Sequence, residues 1–209
     1  MWNPYYLTTV LFCKLCFREL FNGKIYGQEN IPLAGPFIVA PNHLSHLDPP
    51  FVSAAFLKRE LIFLGRKTLF KPGFWNILLS HINVIPVDRE NTADISAIKK
   101  ALAFLRDNFG VVIFPEGTRS LDGHFGKAQS GIGFLACKTQ VPVIPVRIFG
   151  TYEILKKNRT MPDIRQSAQI IIGKPILPSE YDGFQDQKER YHLSANYILD
   201  QIKNLSIPL

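Results

Sequence analysis

The chain has 209 residues, of which 46% are hydrophobic and 20% are charged. This composition suits a single domain with a sizeable core and excludes a disordered chain. The net charge of +7 favours anionic partners, namely acidic lipid headgroups, phosphorylated substrates, acidic carrier proteins or nucleic acid. The three cysteines, Cys13, Cys16 and Cys137, are too few for a disulfide framework and fit a reducing compartment.

Residues 1–22 predict an N-terminal helix that is apolar around most of its circumference, with Lys14 and Arg18 forming a narrow basic stripe. The apolar run from Tyr5 to Lys14 is shorter than the roughly 20 residues that a membrane-spanning helix needs. No basic leader or small-residue cleavage site accompanies it, so we expect no signal peptide. We predict a helix that lies at a membrane interface, followed by a folded domain over 23–209. The alternative is a helix packed on the core of that domain.

Strands and helices alternate through the rest of the chain. Short apolar runs predict strands at 24–27, 37–40, 61–64, 83–87, 111–114, 143–148 and 168–172. Helices are predicted at 51–57, 95–105, 128–139 and 191–202. The segment 65–79 mixes bulky apolar residues with lysines, which fits either a buried helix or a part that dips into a bilayer surface. Pro86 cannot donate to a ladder, so its strand should lie at an edge or contain a bulge. The whole order predicts an α/β, single-domain sandwich around a mixed, largely parallel sheet of about seven strands.

The turn at 42–48 joins a strand that stops at Pro41 to a helix that starts just past Asp48. Pro49 disfavours helical backbone angles at Asp48 and gives it the extended shape of an N-cap. Such a turn can fold His43 back onto Asp48, whereas residues five apart on a helix point in different directions. A carboxylate that accepts the imidazole N–H fixes the tautomer and leaves the other ring nitrogen to take a proton from a hydroxyl. The alternative is that Asp48 is only an N-cap and His43 a satisfied turn residue.

Three polar turns follow predicted strands, at 42–48, 88–89 and 116–120. If these strands are parallel, the turns meet at one rim, where substrates of α/β sheets commonly bind. The chemically active residues at that rim would be His43, Asp48, Arg89, Glu116 and Arg119. A guanidinium group binds two phosphate oxygens at once, and Gly117 would let a backbone N–H point at a developing oxyanion. The alternative for each arginine is a surface ion pair.

A metal site is not predicted. His43, His46 and Asp48 are of the right residue types, but no further ligand accompanies them at a suitable spacing. The chain also lacks a Gly-x-Ser-x-Gly elbow, a P-loop and a Gly-x-Gly-x-x-Gly turn.

Several segments carry a resemblance to a known family. Residues 42–48, Asn-His-Leu-Ser-His-Leu-Asp, resemble the His-four-residues-Asp motif of the glycerolipid acyltransferases, a family that includes the lysophosphatidate acyltransferases. Residues 114–120, Phe-Pro-Glu-Gly-Thr-Arg-Ser, resemble the third motif of that family. The other similarities are at 85–89 (the second motif), 141–146 (the fourth motif) and Lys67. The first and third motifs together are highly specific.

The resemblance implies an enzyme that moves a fatty acyl group from a thioester to a glycerol hydroxyl. It makes His43 the general base and Asp48 its orienting partner. The acceptor-binding residues that it implies are Lys67, Arg89, Glu116, Gly117, Thr118 and Arg119. Direct attack by an activated alcohol needs neither a metal nor an enzyme nucleophile. We therefore expect no cofactor, and acyl-ACP or acyl-CoA as the co-substrate.

The leading expectation from the resemblance is acylation of the sn-2 hydroxyl of 1-acyl-glycerol-3-phosphate, which gives phosphatidate. The expected partners are a membrane lipid surface, a lysophospholipid acceptor and an acyl carrier protein or CoA thioester. The expected location is the cytoplasmic face of a membrane, with peripheral or monotopic attachment. Asn83 stands where the family usually has a glycine, and 125–128 replaces a more basic stretch. These departures leave open an acceptor that is another lysolipid or glycerol-3-phosphate.

Two alternatives to the acyltransferase function belong to other functional classes. A basic nucleic-acid-binding domain would interleave basic and aromatic residues on one face, whereas the aromatic residues here lie in apolar runs. An inactive lipid-binding relative would not need the intact set of His43, Asp48 and 116–119. We therefore expect an enzyme with no nucleic-acid partner.

Overall fold

The computed structural model describes residues 4–70, 73–87, 95–156, 159–183 and 189–208. The strands are β1 (Lys24–Tyr26), β2 (Phe37–Pro41), β3 (Leu61–Arg66), β4 (Val84–Val87), β5 (Gly110–Val112), β6 (Val143–Phe149) and β7 (Gln169–Ile172). The helices are α1 (Pro4–Leu20), α2 (Asp48–Ala55), α3 (Phe74–His81), α4 (Ile95–Arg106), α5 (Ser130–Thr139), α6 (Thr151–Ile154), α7 (Pro178–Tyr181) and α8 (Arg190–Asn204). Two 3-10 helices, Gln28–Asn30 and Lys67–Leu69, complete the regular structure of the described residues.

The seven strands form one sheet in the order β1-β7-β6-β2-β5-β3-β4. Five neighbouring strands, β6, β2, β5, β3 and β4, run parallel, while β7 is antiparallel to β6 and β1 is parallel to β7. The predicted α/β fold with a mixed, largely parallel sheet of about seven strands is therefore confirmed. Pro86 lies in β4, at one end of the row, so the prediction of an edge position is also confirmed.

Strand β2 is the middle strand of the sheet, and helices cover both of its faces. All five of its residues are buried. Phe37 and Val39 join the core beneath α1 and α2, whereas Ile38 and Ala40 join the core beneath α4, α5 and α8. An unbroken apolar run is what a strand needs when both faces are covered. Each fully buried Phe, Ile or Val contributes about 1.5–3 kcal/mol relative to an exposed one.

Helix α1 presents different residues to the core and to its outer side. Tyr6, Val10, Cys13 and Phe17 recur at three- and four-residue steps and are buried, and the Tyr6 hydroxyl accepts the Leu61 N–H at 3.1 Å. The helix predicted at 1–22 thus packs on the domain core along one stripe. Its opposite side remains apolar and exposed, at Tyr5, Leu7, Leu11, Phe12, Leu15 and Leu20. Within the described residues, the helices lack the length and apolar character that crossing a membrane would require.

Some element boundaries differ from the prediction. Helix α2 begins at Asp48, one residue before the predicted start just past Asp48, and it ends at Ala55 rather than at residue 57. Pro49 and Pro50 lie in its first turn, where no N–H is needed, as predicted. Helix α5 begins at residue 130 rather than 128. The segment 65–79 contains the end of β3, a 3-10 helix and most of α3, whose Leu79 is buried in the core.

Candidate active site

The carboxyl ends of the five parallel strands lie at one edge of the sheet, as the prediction of a common rim requires. The turn 42–48 follows β2, Lys67 follows β3, the segment 113–120 follows β5 and the segment 150–155 follows β6. Strand β4 also ends at this edge. Arg89, which was predicted to belong to the rim, lies outside the described residues.

His43 and Asp48 are in direct contact across the turn. The Nδ1 atom of His43 lies 2.8 Å from Oδ2 of Asp48. Because a carboxylate only accepts, Nδ1 carries the proton and Nε2 is left as the basic nitrogen. Asp48 is fully buried, whereas the His43 side chain is 18% exposed. The pair can therefore accept a proton from a bound hydroxyl, which is the chemistry predicted for it.

Asp48 was predicted to be an N-cap, and the structure corrects this. Leu47 occupies the cap position and has helical backbone angles, while Asp48 is the first residue of α2. Its Oδ2 atom accepts the backbone N–H groups of Leu44 and Ser45, at 2.6 and 2.7 Å, instead of those of the first helical turn. The carboxylate thereby closes the turn that carries His43.

The other carboxylate oxygen of Asp48 has a partner that the sequence reasoning missed. The Thr151 hydroxyl donates to Oδ1 at 2.7 Å, and both side chains are fully buried. The signal for Thr151 was weak, because it is a single threonine 103 residues further along the chain. Two neighbouring contacts tie the same regions together: the Ser45 hydroxyl donates to the Leu155 carbonyl oxygen at 2.8 Å, and the Asn42 amide exchanges two hydrogen bonds with the Ile148 backbone.

Glu116 was predicted to bind the acceptor, but its carboxylate faces the backbone. One oxygen accepts the His43 N–H at 2.9 Å and the other accepts the Gly126 N–H at 2.6 Å. The side chain is only 4% exposed. A further bond, from the Ser120 N–H to the His43 carbonyl oxygen at 2.8 Å, joins the same two turns. Glu116 therefore positions the segment that carries His43, and its predicted role in binding the acceptor stays a prediction.

Phe114 is a second residue that the sequence reasoning did not assign to the site. Its ring stacks on the His43 imidazole, with ring centroids 3.9 Å apart and an angle of 21° between the planes. Stacking fixes the plane of the imidazole, while Asp48 fixes its rotation within that plane. Phe114 directly precedes the polar turn 115–120, and a strand-ending aromatic residue at that point was the available signal.

The remaining predicted residues differ in how they are presented. Gly117 has φ +69°, a conformation that favours glycine, and its N–H donates to the Phe114 carbonyl oxygen at 3.0 Å. That N–H is engaged in a turn and does not point at an oxyanion, contrary to the prediction. Thr118 and Lys67 are exposed at the rim, and Arg119 is half-buried.

Arg119 also affects a second histidine of the turn. Burial lowers the pKa of His46 to about 4, and the positive charge of Arg119 adds to this effect. His46 is therefore neutral at pH 7. Among the described residues, no group of three or more His, Cys, Asp or Glu side chains is arranged to hold a metal ion.

Comparison with known proteins shows the family of the chain. The sequence model of the Acyltransferase family matches residues 22–149, which is more than half of the chain. The chain belongs to this family. The predicted resemblance to glycerolipid acyltransferases is thereby confirmed, and the match spans the turn with His43 and the turn with Glu116.

Individual relatives agree with this assignment. The 1-acyl-sn-glycerol-3-phosphate acyltransferase of Bacillus subtilis is 27% identical over 185 residues, which cover 87% of each chain. The chloroplastic 1-acyl-sn-glycerol-3-phosphate acyltransferase BAT2 of Brassica napus is 28% identical over 179 residues, which cover 85% of this chain and 52% of that protein. This chain thus spans about half the length of the plant relative. The crystal structure of the 1-acyl-sn-glycerophosphate (LPA) acyltransferase PlsC from Thermotoga maritima superimposes with a TM-score of 0.76 at 29% identity, covering 95% of this chain and 76% of that one.

Proposed function

We propose that this protein transfers a fatty acyl group from an acyl thioester to the sn-2 hydroxyl of 1-acyl-glycerol-3-phosphate, giving phosphatidate. The observation that carries the proposal is the 2.8 Å contact between His43 Nδ1 and the buried carboxylate of Asp48, which leaves Nε2 as a base. The names of the relatives from B. subtilis and T. maritima support this choice of acceptor.

In the proposed reaction, His43 Nε2 takes the proton from the acceptor hydroxyl as its oxygen attacks the thioester carbonyl carbon. The resulting tetrahedral intermediate collapses, the carbon–sulfur bond breaks, and the imidazolium returns the proton to the leaving thiolate. Asp48 stabilises the imidazolium and holds its tautomer throughout. The ester and a free thiol are the products, and the base is regenerated.

The phosphate of the acceptor is proposed to bind to cationic side chains at the rim. Arg119 belongs to the turn whose Ser120 N–H is bonded to the His43 carbonyl oxygen, so it lies close to the base in the fold. Lys67 is exposed at the end of the neighbouring strand β3. With Arg89, these residues would supply the positive charge that a phosphate monoester requires.

We further propose that the protein works at the cytoplasmic face of a membrane, with peripheral or monotopic attachment through α1. Leu11, Phe12 and Leu15 are 49–58% exposed on the outer side of that helix, next to Lys14. An apolar face flanked by a basic residue is typical of helices that lie in the headgroup region. The donor would be acyl-CoA or acyl carrier protein.

The experiment is a product screen by mass spectrometry. Purified protein is offered labelled acyl-CoA or acyl carrier protein with lysophosphatidate, other lysolipids or glycerol-3-phosphate. We expect phosphatidate from lysophosphatidate, and a loss of turnover of about 10²–10⁴-fold in His43→Ala, the size of a general-base contribution. His192→Ala, which removes an exposed histidine of α8, is the matched control.

Two outcomes would contradict the proposal. Substantial turnover by a folded His43→Ala variant would reject His43 as the base. A preference for another acceptor would keep the acyl transfer but replace the substrate. Arg119→Ala tests the phosphate site separately: we expect a raised KM for the lysolipid, and an unchanged KM and rate would remove Arg119 from that site.

A further inference from the structure

The end of β6 and the segment 150–155 that follows it make three buried contacts with the turn that carries His43. Asn42 bonds to the backbone of Ile148, Ser45 donates to the Leu155 carbonyl oxygen, and Thr151 donates to the carboxylate of Asp48. The family match ends at residue 149, so Thr151 lies beyond the region that identifies the chain. The segment 150–155 therefore supports the site from outside the region that the family match covers.

The hydrogen bonds of Asp48 divide unequally between its two oxygens. Oδ2 accepts from His43 Nδ1 and from the N–H groups of Leu44 and Ser45. Oδ1 accepts from the Thr151 hydroxyl at 2.7 Å. The carboxylate is fully buried, so an oxygen that lost its donor would not regain one from bulk solvent.

The backbone before Thr151 has a shape that aims its side chain at Asp48. Gly150 has φ +82°, and a Cβ at this position would lie 1.9 Å from the Ser167 carbonyl oxygen. Glycine therefore allows β6 to turn sharply against the neighbouring chain. Thr151 starts α6 directly after this turn, and its hydroxyl donates to a carboxylate instead of to its own helix.

From these contacts we infer that Thr151 is a positioning residue for the reaction, acting through Asp48 on the tautomer and orientation of His43. The hydroxyl holds the plane of the carboxylate so that Oδ2 faces Nδ1, and it shares the negative charge that Asp48 would otherwise direct at the imidazole. The inference rests on the proposed function, because the reaction that it concerns is the proton transfer at His43.

The test compares three substitutions. Thr151→Val removes the hydroxyl at nearly constant volume, and Thr151→Ser keeps it. Thr139→Val removes a hydroxyl that donates to carbonyl oxygens of its own helix, α5. We expect kcat to fall about 10–100-fold in Thr151→Val with KM within about twofold of the wild type, which is the size of effect found when a metal-bound histidine loses the group that orients it. The acid limb of its pH–rate profile should also move, because the carboxylate then interacts more strongly with the imidazolium. Thr151→Ser and Thr139→Val should behave like the wild type.

A second readout does not depend on activity. In histidine-labelled protein, the Nδ1 proton held by Asp48 gives a far-downfield NMR signal, which is assigned by its absence in His43→Ala. We expect this signal to shift or broaden in Thr151→Val and to stay unchanged in Thr151→Ser. If Thr151→Val does not fold, Thr151→Ala removes the same hydroxyl without placing a second methyl group beside the carboxylate.

Specific results would overturn the inference. Wild-type kcat, pH profile and NMR signal in a folded Thr151→Val or Thr151→Ala variant would show that the hydroxyl does not act on His43. Equal impairment of Thr151→Ser and Thr151→Val would show that the residue acts through its methyl group and packing. If the wild type transfers no acyl group to any acceptor, the proposed function fails, and the NMR comparison still decides whether Thr151 positions His43.

Discussion

Glu116→Gln separates the structural role of this residue from the acceptor-binding role that its sequence context predicts. The two carboxylate oxygens accept the backbone N–H groups of His43 and Gly126, at 2.9 and 2.6 Å. The residue is buried, with only 4% of its surface exposed. Glutamine has nearly the same size but only one acceptor oxygen. Its amide NH₂ group must therefore face one of the two N–H donors.

The cost follows from these two bonds. A hydrogen bond to a charged acceptor contributes about 1.5–3 kcal/mol, and a buried donor left unpaired costs about 1–3 kcal/mol. We expect Glu116→Gln to lower the free energy of unfolding by about 2–3 kcal/mol. For a domain of this size that corresponds to a fall in Tm of about 5–10 °C. Glu116→Ala, which loses both bonds and leaves a cavity, should cost more.

The assay is equilibrium unfolding in urea followed by circular dichroism, with acyl transfer measured on the same preparations. Glu19→Gln is the matched control, because Glu19 is about half exposed and pairs with an exposed arginine. We expect its stability to change by less than about 0.5 kcal/mol. If Glu116→Gln has wild-type stability but a raised KM for the acceptor, the carboxylate binds substrate and the positioning role is wrong.

Three further predictions concern packing, pH and the membrane. Gly133→Ala should lower the free energy of unfolding by about 1–3 kcal/mol, because the new Cβ would lie 1.9 Å from a backbone carbonyl oxygen of α8. Gly131→Ala in the same helix meets nothing within 4 Å and should raise it by up to about 1 kcal/mol, and thermal melts distinguish the two variants. The folded-state pKa of His46 is about 4, below its ordinary value near 6.5, so the unfolded state binds more protons between these pH values. Stability should therefore fall as the pH drops from 6.5 toward 4, by about 1–2 kcal/mol after discounting for partial exposure, and His46→Gln should remove this loss in urea titrations. Leu15→Asp should abolish sedimentation with anionic vesicles at unchanged stability, whereas Leu33→Asp, on an exposed loop, should not.

Local patterns were sufficient to predict the architecture. The apolar run of β2 indicated a strand, and the proline of β4 indicated an edge or a bulge, because each depends on the chemistry of a few adjacent residues. The contact between His43 and Asp48 could also be predicted, since the prolines at 49–50 limit how the intervening turn can fold. These features depend on short stretches of chain, where residue type and backbone preference act together.

Long-range hydrogen bonds could not be predicted in the same way. The sequence shows that Glu116 is a carboxylate in a polar turn, but whether it faces a ligand or two backbone N–H groups depends on where the 120–126 segment returns. Thr151 meets Asp48 only because β6 lies beside β2 in the sheet. The N–H of Gly117 was predicted to point at an oxyanion, and the turn in which it donates to the Phe114 carbonyl oxygen was not predicted.

The arrangement around His43 shows how a turn can hold a proposed base as firmly as a helix would. A helix would fix the backbone but leave the imidazole to choose among rotamers, whereas this turn holds the ring from several directions. Asp48 fixes the proton on Nδ1, Phe114 stacks on the ring face, and Glu116 holds the backbone N–H of His43 itself. The tightly held side of the ring faces the protein, so Nε2 is the nitrogen left to meet a hydroxyl. In the proposed reaction, little reorganisation would then remain when the proton moves, and a preorganised base is most effective where its geometry is set before substrate arrives.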